Sequence, residues 1–153
     1  MRSSVTRTPA EAPAPPVYLE DAPAARITVR SPEAPLETTA QSLELAHELV
    51  DVLVDRQAAD VVLLDLTELS AFADYFVIAT VDNIRQARAI TDLLTEHVRQ
   101  HGRKLQYEGD PESGWVLIDA GEGVFVHLFS MESRAYYNLE GLWNKAQEVV
   151  RIQ

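Results

Sequence analysis

His97 and His101 stand four residues apart in the stretch "HVRQH". That spacing puts two imidazoles on one helix face, within reach of one metal ion. A zincin-type helix also carries a glutamate directly after its first histidine, and here Val98 holds that position. Both histidines fall in the last turn of a predicted helix, where positive charge complements the helix dipole. The pair by itself therefore assigns no metal. His127 lies inside "VFVHLF". In a strand, Val124, Val126 and Leu128 point one way while Phe125, His127 and Phe129 point the other. Alternation leaves open whether His127 is a satisfied sheet residue or part of a contact surface.

Carboxylates are the second candidate chemistry. Metal-dependent nucleotidyl transfer needs acidic residues clustered on strands to hold divalent ions. "LDLTEL" offers Asp65 and Glu68, and "ADYF" offers Asp74. None has the alternate spacing that aims two carboxylates from one strand face, so Asp65 reads as the end of a strand or the cap of a turn. A phosphate cradle is the third candidate. "DYFVIATVDNIRQ" runs from a strand through a polar break into a helix start, the place where many α/β proteins hold a phosphate. The chain has neither G-x-G-x-x-G nor G-x-x-x-x-G-K. The break from Thr80 to Gln86 lacks glycine, and Asp82 would repel an anion. No cofactor, metal or catalytic residue is assigned.

The elements that position these residues follow from periodicity. Ala46, Leu49, Val50, Leu53 and Val54 share one helical face, which predicts a helix from about Gln41 to Gln57 with Thr39 as its cap. Val61–Leu66 and Tyr75–Thr80 are short β-branched runs, read as buried strands. About eight residues separate them, too few for a parallel crossover, so they are expected to be antiparallel or not adjacent. Asn83 with Gln86 three residues on reads as a capping box. Ala87, Ile90, Leu93, Leu94 and Val98 form the face of the helix it opens, and Gly102 ends that helix. A strand at Lys104–Tyr107, a turn-rich "EGDPESG", and the pair "WVLID" and "VFVHLF" around "AGEG" come next. Met131 to Val150 reads as helical with a break near Asn138 to Gly141. The order predicts a single α/β (α+β) domain with a mixed β-sheet flanked by helices.

Residues 1–40 hold seven of the eight prolines, the composition of a disordered or loosely extended tail. Residues 41–153 are the expected domain. The chain carries a net charge of -11. Of this, -1 falls on residues 1–40 (four Arg against five Asp and Glu) and -10 on residues 41–153 (nine Lys and Arg against 19). Such a domain repels nucleic acid unless it has a basic patch, and favours basic proteins. Absence of cysteine suits a reducing cytoplasm. No apolar run approaches the roughly 18 residues of a membrane span, and the first residues show no secretory signal.

"RAYYNLEGLWNKA" gathers Arg134, Tyr136, Tyr137, Leu142 and Trp143. Tyr, Trp and Arg dominate interface hot spots and are also ordinary core residues of small domains. Trp143 shares helical spacing with Leu139 and Leu142, which favours the core for it.

The segments "LDLTELSAFADYFVIAT", "RQARAI", "YEG", "GWVLIDAG", "VFVHLF" and "RAYYNLEGLWNKA", in this order and spacing, resemble the ribosomal silencing factor family, also called Iojap-like proteins. The resemblance covers about Leu43 to Val149. It departs at Val81–Ile84, where the family usually has a Gly and a Ser before its Arg-Gln pair. It departs again at "DAGEG", usually about a residue shorter, where Gly123 is expected to absorb the excess as a bulge. The resemblance implies a fold similar to nucleotidyltransferases without a catalytic site. It implies binding to the large ribosomal subunit through ribosomal protein L-fourteen, a steric block of joining to the small subunit, and translational repression under nutrient limitation. Homodimers are also associated with the family.

Among its implied contact residues, Trp115 is the apolar anchor, and Glu108, Asp119 and Glu140 partner basic side chains. His127, Arg134 and Tyr137 add polar contacts. Arg85 and Gln86 match the Arg-Gln pair, with a structural role at the helix start as the other reading. The alternative function is a nucleotide-using enzyme of the nucleotidyltransferase type.

Overall fold

The computed structural model describes residues 36–102 and 106–153, with the backbone alone for 36–39. The expected tail thus lies almost wholly outside the described residues. The elements run α1 (Leu36–Asp55), β1 (Ala59–Asp65), β2 (Tyr75–Thr80), α2 (Ile84–Gln100), β3 (Gln106–Asp110), a 3-10 turn (Pro111–Ser113), β4 (Trp115–Asp119), β5 (Val124–Phe129), α3 (Met131–Tyr137), α4 (Leu139–Leu142) and β6 (Gln147–Ile152). One six-stranded sheet has the order β3-β4-β5-β2-β1-β6. Only β2 and β5 pair in parallel; every other neighbour pair is antiparallel. The mixed sheet, and the antiparallel pairing of β1 with β2, are as the sequence predicts.

The sheet has two unlike faces. On one, α1 and α2 pack aliphatic side chains such as Leu49, Leu53, Ile90 and Leu94 against Val61, Leu63, Val77, Val116, Val126 and Leu128. On the other, Phe76, Trp115, Phe125 and Phe129 meet Leu139, with Tyr137 and Trp143 packed at the margin. The alternation in β5 therefore holds as read. Ser42 of α1 donates to the Glu122 carbonyl at 2.7 Å, which ties the helix layer to the β4–β5 hairpin.

Several boundaries differ from expectation. The helix α1 starts at Leu36, so Thr39 sits in its first turn and does not precede it; Glu37 there suits the dipole. The strand expected at Lys104–Tyr107 is Gln106–Asp110, because pairing with β4 extends to Asp110 opposite Trp115; Lys104 and Leu105 lie outside the described residues. The β4–β5 ladder shows no register shift. The excess residue expected as a bulge is absorbed in the loop itself, where Gly121, Glu122 and Gly123 all have positive φ. A Cβ on Gly123 would stand 2.7 Å from Asp74 Oδ2, so that close approach requires glycine.

The largest correction is at the C-terminus. Helix breaks at Asn138, whose φ of 47° is left-handed, but it does not resume to Val150. Residues Gln147–Ile152 form β6 beside β1. Val149 and Val150 are β-branched, and β1 without this partner would be an exposed apolar edge.

Candidate functional site

A groove of about 540 Å³ opens where β2 and β5 end. Trp115, Val116 and Leu128 contribute to its lining, together with Val81–Ile84, Gly114, Ser130 and residues of α3. The aliphatic and aromatic layers meet here, since Val116 and Leu128 belong to one and Trp115 to the other. Gly114 lets the chain turn tightly between the 3-10 turn and β4; a Cβ on it would stand 2.6 Å from Ser133 Oγ. Exposed apolar side chains border the groove: Met131 at 75% and Tyr136 at 49% exposure, with Ile84 close behind. The acids Asp82, Glu112 and Glu132 also line it, and no Lys or Arg does. Arg88, outside the lining, holds Glu112 at 2.9 Å.

This lining is a poor phosphate cradle. The backbone N–H of Gln86 donates to Asn83 Oδ1 at 2.8 Å, and that of Asp82 donates to Gln86 Oε1 at 2.6 Å. Two amides that would otherwise be free to grip an anion are thereby taken. The cap differs slightly from the expected box, because Gln86 reaches back to Asp82 and not to Asn83. Its amide nitrogen also donates to the carbonyls of Arg56 and Gln57, each at 3.1 Å. Gln86 thus pins the start of α2 to the end of α1, the structural reading. Arg85 is exposed. The carboxylates Asp65 and Asp74 lie at the other end of the β1–β2 pair, since Asp65 pairs with Tyr75 while Ala59 pairs with Thr80. Asp65 Oδ1 accepts from the Thr67 amide at 2.9 Å and hydroxyl at 2.6 Å, the turn cap expected of it.

The seven implied contact residues separate into three groups. Trp115, His127 and Tyr137 come together in the aromatic layer. Trp115 is 3% exposed, with its ring 4.5 Å from that of Tyr137 and 4.8 Å from that of Phe129, centroid to centroid. As a surface anchor it is corrected: Trp115 is core. Its indole N–H donates to His127 Nδ1 at 3.2 Å, which leaves the His127 proton on Nε2, an atom without a hydrogen-bond partner. Burial lowers the His127 pKa to about 3, so the ring is neutral and is no surface contact. Its edge meets the Phe76 ring, with centroids 4.5 Å apart. Tyr137 keeps part of its surface.

Arg134 and Glu140 form the second group, and they act inside the molecule. Arg134 is 9% exposed. Its Nη1 donates to the Asp60 carbonyl at 2.7 Å and to Thr80 Oγ1 at 2.9 Å, and its Nε to Glu140 Oε1 at 3.0 Å. Nη2 lies 3.6 Å from Asp60 Oδ2, an ion-pair distance beyond hydrogen bonding. Arg151 of β6 closes the network, reaching Asp60 Oδ1 at 2.7 Å and Glu140 Oε2 at 3.0 Å. Burial pushes the Glu140 carboxyl up, but hydrogen bonds and charge from Arg134 and Arg151 together outweigh it and hold it below the usual value. Asp60 has a φ of 48° at a register shift of β1 against β2. That bulge turns both its carbonyl and its carboxylate toward arginines.

Glu108 and Asp119 are the third group. Both are half-buried, on paired strands β3 and β4, with Glu108 opposite Leu117 and Asp119 opposite Gln106. Partners in an antiparallel ladder share a face, so both lie on the aromatic side. Burial raises the Asp119 pKa against the opposing hydrogen bond from the Gly121 amide.

The exposed border of Met131, Tyr136 and Ile84 was not legible as a site. One available signal was Ser130 as a helix cap: its Oγ accepts from the Ser133 amide at 3.1 Å. A cap there fixes Met131 at the first helical position and turns Tyr136 to the side opposite buried Ser133.

Fold and groove together define a single-domain mixed-sheet α/β protein with an apolar, acid-lined groove at one end of its sheet. Residues 39–153 match the family described as "Ribosomal silencing factor during starvation", and the chain belongs to that family. It is 38% identical over 107 residues to the ribosomal silencing factor RsfS of Halalkalibacterium halodurans, covering 69% of this chain and 91% of the relative. It is 33% identical over 122 residues to the chloroplastic protein Iojap of Arabidopsis thaliana, covering 79% of this chain and 50% of that one. A crystal structure of a protein from Chromobacterium violaceum superposes with a TM-score of 0.63 at 29% identity, covering 71% of this chain and 92% of that one.

Proposed function

We propose that this protein binds the large ribosomal subunit through ribosomal protein L-fourteen and silences translation under nutrient limitation by obstructing the small subunit. The observation that carries this reading is the family match across residues 39–153. The site supports it. Ribosomal proteins are basic, and residues 41–153 carry -10, so complementary charge speeds encounter and fixes orientation. Met131, Tyr136 and Ile84 supply the apolar anchors that Trp115, being core, does not supply directly. Asp82, Glu112 and Glu132 face basic side chains, and Glu108, Asp119 and Tyr137 extend the contact along the sheet. Trp115, His127, Arg134 and Glu140 hold the groove in shape from within.

The mechanism is steric. It needs no bond making, and repression depends on affinity and concentration alone. The reading places the protein in the cytoplasm, where its ribosomes would be, and a homodimer is a further expectation to be measured by light scattering. The test mixes purified protein with isolated large and small subunits and sediments each through sucrose at modest salt. Co-sedimentation with the large subunit alone is expected. Failure to co-sediment with it would overturn the proposal.

A further inference from the structure

Away from the groove, α1 and α2 bring three ligating groups together. Glu48 of α1 meets His97 and His101 of α2, and one ligand atom from each lies within 4.8 Å of the other two. The histidine pair has the spacing of a metal-binding helix. What the sequence could not show is the third group, which comes from 49 residues earlier in the chain. We propose that Glu48, His97 and His101 form a divalent transition-metal site, of the kind zinc occupies, that clamps the last turn of α2 to α1.

Three observations carry this. The first is spacing. Glu48 Oε1 lies 2.8 Å from His97 Nε2 and 3.8 Å from His101 Nε2. Ligands held about 2.0–2.1 Å from a tetrahedral ion stand about 3.3 Å apart, and the two distances bracket that value. The second is tautomer. His101 Nδ1 is 2.9 Å from the His97 carbonyl, and a carbonyl only accepts, so Nδ1 carries a proton. In the neutral ring the Nε2 lone pair then faces the Glu48 carboxylate. Two acceptors turned toward each other call for a cation between them, and a carbonyl bond on the remote nitrogen is how metal-ligating histidines are usually oriented. The third is access. Glu48 and His97 are half-buried while His101 is exposed, so the protein supplies three ligands and solvent supplies the open fourth position, as in a His2Glu site.

The metal would replace the proton between His97 and Glu48, so binding weakens on acidification. The groove is lined by Ile84 at the other end of α2, roughly 20 Å away along a helix rising about 1.5 Å per residue. The clamp is therefore separable from ribosome binding.

The test uses the full chain, stripped with chelator and titrated with Co²⁺, whose visible absorption reports four-coordinate ligation. We expect one equivalent to bind, one equivalent of Zn²⁺ to displace it, and Zn²⁺ to raise the thermal midpoint. His101→Ala, at an exposed position in the cap of α2, should keep the circular dichroism spectrum and weaken Co²⁺ binding by roughly 100-fold. His47→Ala, one residue from Glu48 but outside the cluster, should bind as the parent does. An absent cobalt band would overturn the site and leave a plain imidazolium–carboxylate pair. Binding that survives His101→Ala, or that His47→Ala reduces equally, would overturn it as well.

Discussion

The two faces of the sheet are closed by different chemistry. Under α1 and α2 the layer is aliphatic, and its side chains are buried against one another with few polar atoms among them. Under the C-terminal segment the layer is aromatic, and it holds a neutral buried histidine and the Arg134–Asp60–Glu140–Arg151 network at its margin. The first face can be stabilised by any well-packed apolar set. The second depends on directional partners, because an unpaired charge in that setting costs several kcal/mol. The groove lies where the two meet, so its shape depends on both. The polar closure also joins α3, α4 and β6 to the bulge in β1, parts of the chain that local sequence does not connect.

The largest way to break this contrast is Arg134→Ala. It leaves Asp60, Glu140 and Thr80 without their shared donor, and should cost about 3–5 kcal/mol in urea denaturation. Leu53→Ala on the aliphatic face should cost about 2–5 kcal/mol through transfer and cavity terms. The two losses should differ in pH dependence: the first shrinks as Glu140 is protonated in acid, and the second does not.

His127 sharpens the contrast by pH. Its folded pKa is depressed to about 3, below the unfolded value near 6.5. The unfolded chain therefore takes up a proton first as pH falls. Stability present above about pH 6.5 is lost at about 1.4 kcal/mol per pH unit down toward pH 3. Glu140, whose folded pKa is also depressed, adds its own loss only in the more acidic carboxylate range. His127→Phe should flatten the slope between pH 6 and pH 5 in roughly that amount, as read by denaturation at each pH. A slope equal to the parent's would mean the ring is not neutral in the fold.

At the groove, Met131→Ala with Tyr136→Ala should weaken large-subunit binding by roughly 10-fold or more and leave the urea midpoint nearly unchanged, since both side chains are exposed. The smallest expected effect belongs to nucleotide. Calorimetry with magnesium and each nucleoside triphosphate should give no binding heat, given a cation-free lining and occupied cap amides. Saturable heat would revive the transferase reading.

Much of the framework was legible where burial is one-sided and local. The strands β2 and β5, the amphipathic face of α2 and its Asn83 cap follow from alternation, 3.6-residue periodicity and capping chemistry. The C-terminus was not, because "QEVVRI" is an edge strand with little one-sided burial, and only a long-range partner, β1, makes it a strand. The site was less legible. Trp115, Arg134 and Glu140 have the residue types of an interface, yet each is taken up by partners inside the fold, Arg134 by a carbonyl 74 residues away. Nor could spacing reveal Glu48 beside the histidine pair.

The central claim is that an acid-lined, apolar groove obstructs joining of the ribosomal subunits without chemistry. The direct measurement mixes purified large and small subunits with increasing protein, and separates free subunits from joined ribosomes on sucrose gradients. The account predicts that joined ribosomes decline as the protein saturates the large subunit, and that the Met131→Ala, Tyr136→Ala variant requires roughly 10-fold more protein for the same decline. Joined ribosomes forming to the same extent at saturating protein would contradict it.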